Sequence, residues 1–452
     1  MAGFSECPSL KGFVHFWTLT FLLCDFLNYY RMGRIFKLSF IYFMPIYMLI
    51  SLLLMLKVGI YIYIWYPILF IIILLALKYV YSSRDGVTLF VTFFFLYCLV
   101  SVICYFFNET PIDCFFKGIK SFVIPILFFY LGSHYLYSEE FKNSYIISCV
   151  VCFIIGFYLY MMTPDFYRQF LMEAANSSWY NVQRSEEAIM ETARFSSFFE
   201  NSYAIEFLGG PCLILAVDRF LNVRGLLKKT SMLLAILVAL LALFLSMQRA
   251  AIMFSVVFMT AYPIYILKKK NKSITPIFFV LSIIIICLIY LMFTNERLFT
   301  IFEMILDRFT DLDIKEDSST RILNFDRSNL LSPIFGLGVG SAGQFAGAKG
   351  LQAIFDMEYI KDFYEFGILG FGLLLFIIIL TTIRGLLSFY EHRTEVSIIL
   401  FFLLCSLISN ALTQYVNCCF FWYCIGLVWK GGKSISRHAR YKFKSSDLYF
   451  NS

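Results

Sequence analysis

Residues 230–248 read TSMLLAILVALLALFLSMQ, residues 250–267 read AAIMFSVVFMTAYPIYIL, and Arg249 alone separates them. Neither run holds a charged residue. Each is close to the ~20 residues that a helix needs to cross a bilayer. No water reaches backbone N–H and C=O groups inside a bilayer, so a continuous apolar run closes its hydrogen bonds within itself, as a helix. A transmembrane strand would instead alternate polar and apolar residues. The two runs therefore predict a helical hairpin that turns on one arginine.

Working outward, runs of the same kind fall at 38–56, 58–77, 87–107, 121–137, 143–163, 273–294, 366–383, 396–412 and 414–429. The run 201–217 joins them despite Glu206, which makes twelve spans. Residues 12–29 are apolar and aromatic but contain His15, Asp25 and Asn28. They form a thirteenth span or a helix lying in the interface. Composition agrees: 60% of the 452 residues are hydrophobic and 15% charged, with mean hydropathy +0.77. A soluble domain carries roughly 25% charged residues. Water-soluble enzyme folds, coiled coils and disorder are excluded. The expectation is an all-α polytopic integral membrane protein, a single transmembrane domain over 1–452.

The net charge of +7 does not point to nucleic acid. Its lysines and arginines sit in short clusters between spans, such as Lys268, Lys269, Lys270 and Lys272. That pattern orients membrane proteins. The segments 30–38, 78–86, 138–142, 218–229, 268–272, 384–395 and 430–452 alternate onto one side and hold most of the 37 basic residues. This side is expected to be cytoplasmic. Two long polar loops, 164–200 and 295–365, then lie outside, and loops of that length are usually functional or disordered. Most of the 13 cysteines lie inside apolar runs without metal-like spacing and read as packing residues. No small-residue cleavage site follows the first apolar stretch, so no cleaved signal peptide is expected.

Three arginines stand out by position. Arg194 ends the first outer loop in Ala193-Arg194-Phe195-Ser196-Ser197-Phe198-Phe199-Glu200-Asn201. Arg249 occupies the tight outer hairpin, and Arg321 follows Ser318-Ser319-Thr320 in the second loop. Arg249 reads either as a side chain snorkelling to the interface or as an anion clamp, since guanidinium forks match phosphate oxygens and stay charged. Arg194 and Arg321, each taken alone, read as solvated loop charges. The second loop also holds Ser332-Pro333-Ile334-Phe335-Gly336-Leu337-Gly338-Val339-Gly340, a glycine-rich turn without the Gly-Lys-Ser/Thr of a phosphate-binding loop. It reads as a flexible turn or as a backbone anion cradle. Further on, Asp356-Met357-Glu358-Tyr359-Ile360-Lys361-Asp362-Phe363-Tyr364-Glu365 leads into a span. If helical, it carries Glu358, Asp362 and Glu365 on one face.

The order of these parts resembles the superfamily of O-antigen polymerases and O-antigen ligases. Its members show an arginine, then Gly-Xaa-Phe-Xaa-Asn-Pro-Asn leading into a span. Arg194, Phe199 and Asn201 match, Ser197 replaces the glycine, and Ser202-Tyr203 replaces Pro-Asn. They also show Ser-Xaa-Ser-Arg between two spans. Ser246 and Arg249 match, with Gln248 in place of the second serine. Arg321, Ser332-Pro333 and Gly336-Leu337-Gly338 fit the long outer loop. Ligases place a histidine nine residues before a glutamate followed by Gly-Ile/Leu-Xaa-Gly. Glu365, Gly367 and Gly370 fit that register, and Asp356 falls on the histidine position. The missing histidine favours a polymerase over a ligase.

The resemblance implies an enzyme of the bacterial inner membrane, its active site facing the periplasm. It would join repeat-unit oligosaccharides carried on undecaprenyl diphosphate, as donor and acceptor, without metal or cofactor. Arg194, Arg249 and Arg321 would bind the diphosphate. Asp356 would be the base, with Glu358 as the competing assignment and Glu365, Gly336 and Gly338 in support. A chain-length regulator and a flippase of the same pathway are the implied partners. The alternatives are an O-antigen ligase acting on lipid A-core and a flippase for the same lipid-linked units. The near absence of charge from the spans speaks against the flippase.

Overall fold

The computed structural model describes residues 43–46, 50, 73, 76, 86–107, 111–134, 139–163, 167, 195, 197, 202–270, 286, 290, 294, 299, 303, 332–342, 358–407 and 418–430. The segment 12–29 and most of the predicted runs 38–56, 58–77 and 273–294 and of the loops 164–200 and 295–365 lie outside the described residues. The described part is mostly helical. In chain order the helices are α1 Gly86–Phe107, α2 Ile112–His134, α3 Glu139–Met162, α4 Ser202–Asn222, α5 Leu226–Leu245, α6 Arg249–Lys269, α7 Glu358–Leu387, α8 Phe389–Cys405 and α9 Cys418–Lys430. No strand occurs among the described residues. Helices α2, α3, α5, α6 and α7 are long and apolar enough to cross a membrane.

Several boundaries differ from expectation, among them the starts of α2, α7 and α8, the last at Phe389 rather than 396. Helix α2 begins at Ile112 rather than near 121, because a π-helical segment, Ile119–Val123, links its first turns to the apolar part. Helix α7 begins at Glu358 rather than 366, so residues 358–365 belong to the helix and not to the second outer loop. Hydropathy alone ends a span at the first charged residue. Here the charged residues continue the helix because protein, not lipid, surrounds them.

Helix α4 forms the centre. Its residues from Ile205 to Asp218 are buried, and it packs on α3, α5, α6 and α8. Its Pro211 and the Pro263 of α6 sit inside helices, as membrane helices tolerate when neighbours supply the missing contacts. Small residues set the closest crossings. A Cβ on Gly132 of α2 would lie 2.1 Å from the Tyr423 carbonyl oxygen of α9, and one on Gly426 would lie 2.2 Å from the Phe129 carbonyl oxygen. Backbones approach this closely only where side chains vanish, and dispersion then holds the pair. Aromatic rings fill the wider gaps, with Phe207 stacked on Phe402 and Phe254 edge-on to Phe401.

Hydrogen bonds join alternate helix ends. At one end Arg393 donates from Nε to Asp218 Oδ1 at 2.6 Å, and Tyr262 donates to the same oxygen at 2.8 Å. Lys270 Nζ donates to Asn222 Oδ1 at 2.6 Å, and Arg219 Nε to Asn143 Oδ1 at 3.1 Å. Lys430 Nζ donates to the His134 carbonyl. The segments 138–142, 218–229, 268–272 and 384–395, grouped by their basic residues in the sequence, thus meet at one end of the bundle. At the other end Phe195 N–H donates to the Leu245 carbonyl at 3.0 Å, and Tyr359 donates to the Leu403 carbonyl at 3.0 Å.

Candidate functional site

The first two turns of α7 carry four ionisable residues, and each is buried: Glu358, Lys361, Asp362 and Glu365. The three acids share one face, as their spacing predicts. Lys361 points among them. Its Nζ lies 3.2 Å from Glu358 Oε1, 3.8 Å from Asp362 Oδ1 and 4.0 Å from Glu365 Oε2. The same ammonium sits 4.6 Å from the centroid of Phe122. Phe122 belongs to the π-helical turn of α2 and meets Phe366 edge-on at 4.9 Å. A π turn adds a residue to the helical cycle and re-aims its side chains. Here it presents an aromatic face to the buried cation, a contact that is favourable when desolvated.

The glycine turn docks against this cluster. Leu337 N–H donates to the Tyr364 carbonyl at 3.1 Å and Gly338 N–H to the Glu365 carbonyl at 3.0 Å. Ala342 N–H donates to Glu365 Oε1 at 3.3 Å. Gly336, Gly338 and Gly340 all have positive φ. The helix itself breaks at Gly367, where φ is 64° and ψ −172°. A Cβ on Gly367 would lie 2.4 Å from the Gly336 nitrogen, and one on Gly336 would lie 2.2 Å from the Glu365 carbonyl oxygen. The two motif pieces, far apart in sequence, are therefore in backbone contact. Tyr97 of α1 seals the joint, its hydroxyl within 2.8 Å of the Phe335 carbonyl and 2.7 Å of the Phe366 carbonyl. The N–H groups at 337, 338 and 342 serve the chain's own acceptors, so Gly336 and Gly338 support Glu365.

This packing predicts a graded response to alanine. Gly340 has φ 85°, and an added Cβ would lie 2.0 Å from the Cys114 carbonyl oxygen. Gly225, before α5, has φ 101° with nothing within 4 Å of an added Cβ. Gly225→Ala meets backbone strain alone, about 1–2 kcal/mol. Gly340→Ala adds a clash with fixed backbone, for about 3 kcal/mol or more in all. Thermal unfolding of the detergent-solubilised protein is expected to drop clearly for Gly340→Ala and slightly for Gly225→Ala. Equal melting of the two variants would remove the docked turn from this account.

Arg249 is the first residue of α6 and is half-buried. The turn before it is tight, with Ser246 buried and Met247 at φ 55°. Helix α6 packs on α8 through Phe254 and Phe401, and α8 ends beside the start of α7 through Leu403 and Tyr359. Arg249 thus begins its helix at the end of the bundle where Glu358 begins α7. Arg194, Arg321 and Asp356 lie outside the described residues. Glu358 itself is fully buried and tied to Lys361.

Sequence reasoning passed over Lys361, Phe122 and Tyr97. Lys361 stands inside the quoted acidic stretch, three residues after Glu358 and four before Glu365, the spacing of helical ion pairs. That spacing was the available signal. The near absence of charge from the spans also needs correction, since α7 brings a charged cluster into the protein interior. No protein-family model matches the sequence, and no curated protein aligns with it as a relative, so the functional reading rests on the residues themselves.

Proposed function

We propose that this chain is a membrane-embedded glycosyltransferase of the O-antigen polymerase type. It joins undecaprenyl-diphosphate-linked oligosaccharide repeat units at the periplasmic face of the inner membrane. The observation that carries this reading is the contact between Gly336-Leu337-Gly338 and Glu365-Phe366-Gly367. Two separate parts of the resemblance form one structural unit, at the bundle end where Arg249 starts α6. In the reaction, an acceptor hydroxyl oxygen forms the new bond to the donor's anomeric carbon. The bond from that carbon to the diphosphate oxygen breaks, and the lipid diphosphate leaves with the electron pair. Asp356 takes the hydroxyl proton. Arg249, with Arg194 and Arg321, balances the charge that develops on the diphosphate, as preorganised cations do in a water-poor site. Glu358 is enclosed and bound to Lys361, which favours Asp356 over it as the base.

A second reading has a specific observation behind it. Buried ionisable side chains on a broken helix are features of transporters, and α7 has both. A flippase for the same lipid-linked units is that reading. Lipopolysaccharide banding from a strain lacking this gene separates the readings. Loss of a polymerase leaves single repeat units on the core, and the plasmid-borne gene restores the ladder. Loss of a ligase leaves bare core with polymer still on its lipid carrier. Loss of a flippase leaves bare core with unpolymerised units on the cytoplasmic leaflet. A reporter fused after residue 340 reads periplasmic on this proposal, and a cytoplasmic signal there would sink the orientation.

A further inference from the structure

Helix α6 has two unlike sides. Ala251, Phe254, Phe258 and Tyr262 are buried, and the helix packs on α4 and α8. Met253, Val256 and Val257 are 57%, 62% and 62% exposed, and Thr260 is exposed beside them. With Arg249 these four residues fall within about 100° around the helix axis. The half-buried arginine therefore heads the outward stripe. The Thr260 hydroxyl lies 3.1 Å from the Val256 carbonyl oxygen and 2.9 Å from that of Val257, so it is satisfied within the helix and the stripe stays apolar. Lys268, also exposed, lies at the far end. The 21 residues of α6 rise about 31 Å, close to the ~30 Å of a hydrocarbon core. Helix α3 offers a comparison. Its Ile147 and Ile154 are 59% and 46% exposed, but its last turns, Phe157-Tyr158-Leu159-Tyr160-Met161-Met162, hold no cation.

We propose that the outward stripe of α6 is the track for the polyprenyl tail of a lipid-linked diphosphate whose phosphates sit on Arg249. The proposal rests on the reading that Arg249 binds that diphosphate, and it names where the tail goes. The tail is covalently joined to the diphosphate, so it must leave Arg249 along a face that reaches lipid. The inner face of α6 is closed by α4 and α8. The outward face is open and begins at the arginine. Cation and apolar stripe thus match the two parts of one molecule in their order. The short side chains of Val256, Val257 and Thr260 let a methyl-branched chain lie close, held by dispersion. Exchanging lipid for this surface gains little, because both are apolar. The stripe directs the tail, and the arginine supplies the affinity.

The test uses the full chain in phospholipid proteoliposomes, with p-benzoylphenylalanine in place of Met253 or Val257 on α6, or of Ile147 or Ile154 on α3. Radiolabelled undecaprenyl diphosphate alone is the probe. Illumination is expected to label the two α6 positions well above the two α3 positions. Excess unlabelled undecaprenyl diphosphate removes the difference, and an equal excess of phosphatidic acid leaves it. Adding Arg249→Ala cuts the α6 label about tenfold at sub-saturating probe, the worth of one charge-assisted contact. Equal labelling of α6 and α3, or displacement by phosphatidic acid, overturns the proposal, since the stripe then meets any phospholipid. Label that survives Arg249→Ala also overturns it, and if ladders are lost in the same variant, Arg249 keeps its place in the reaction. The expected label in a protein that does not polymerise lipid-linked repeat units upholds the track and overturns the polymerase reading.

Discussion

Arg249→Ala is expected to abolish long-chain product while the protein accumulates normally. The two halves of that expectation come from different physics. Arg249 opens α6, where the unpaired N–H groups of the first turn already concentrate positive charge. A cation there is unfavourable by about 0.3–1 kcal/mol. Its removal therefore leaves α6 no less stable, since Phe254 on Phe401 and the buried face of the helix do the packing. None of the ion pairs or side-chain hydrogen bonds among the described residues uses its guanidinium. The same place suits an anion, because helix N-terminus and guanidinium act together. Losing one well-placed donor to a developing negative charge costs about 3–4 kcal/mol, or roughly 10²–10³-fold in rate. Arg249→Lys stays poor, since a point charge does not reproduce the fork. Full-length ladders from Arg249→Ala cells, at normal protein level, would make Arg249 a snorkelling residue.

Asp356→Asn and Glu358→Gln are expected to fail in different ways. Asp356→Asn keeps shape and hydrogen bonding and loses basicity, so polymerisation falls about a hundredfold or more while protein level holds. Glu358→Gln breaks the pair with Lys361 at 3.2 Å inside the protein. Removing one partner of a buried ion pair costs about 3–5 kcal/mol, lessened here because Asp362 and Glu365 remain within 4.0 Å of the ammonium. The expected sign is a lower yield and a lower melting temperature, with activity per folded molecule largely kept. Quantitative immunoblotting beside banding separates the two. If Glu358→Gln accumulates normally and makes no polymer, Glu358 is the base and the assignment to Asp356 is wrong.

The glycines show how far the motif order reached. Gly336 and Gly338 are marked by the Gly-Xaa-Gly pattern and Gly367 and Gly370 by register, and three of the four lie at one joint. Register told which residues belong together. It did not tell that the turn's N–H groups are spent on Tyr364 and Glu365, which turns an apparent anion cradle into a support. At Gly336 and Gly340 positive φ and close carbonyls, of Glu365 and Cys114 respectively, both exclude a side chain.

Helix class, and the apolar runs that the described helices cover, are legible in the chain, because a long apolar run in lipid has one way to satisfy its backbone. The alternation of helix ends was legible too, in where the lysines and arginines fall. Only the tertiary structure decided that α7 starts at Glu358, that Lys361 lies buried among three acids against Phe122, and that Asp218 and Arg393 close the opposite end. Hydropathy scores each residue against lipid or water. The charged groups of α7 meet neither, since α1, α2 and α9, distant in sequence, help to enclose them.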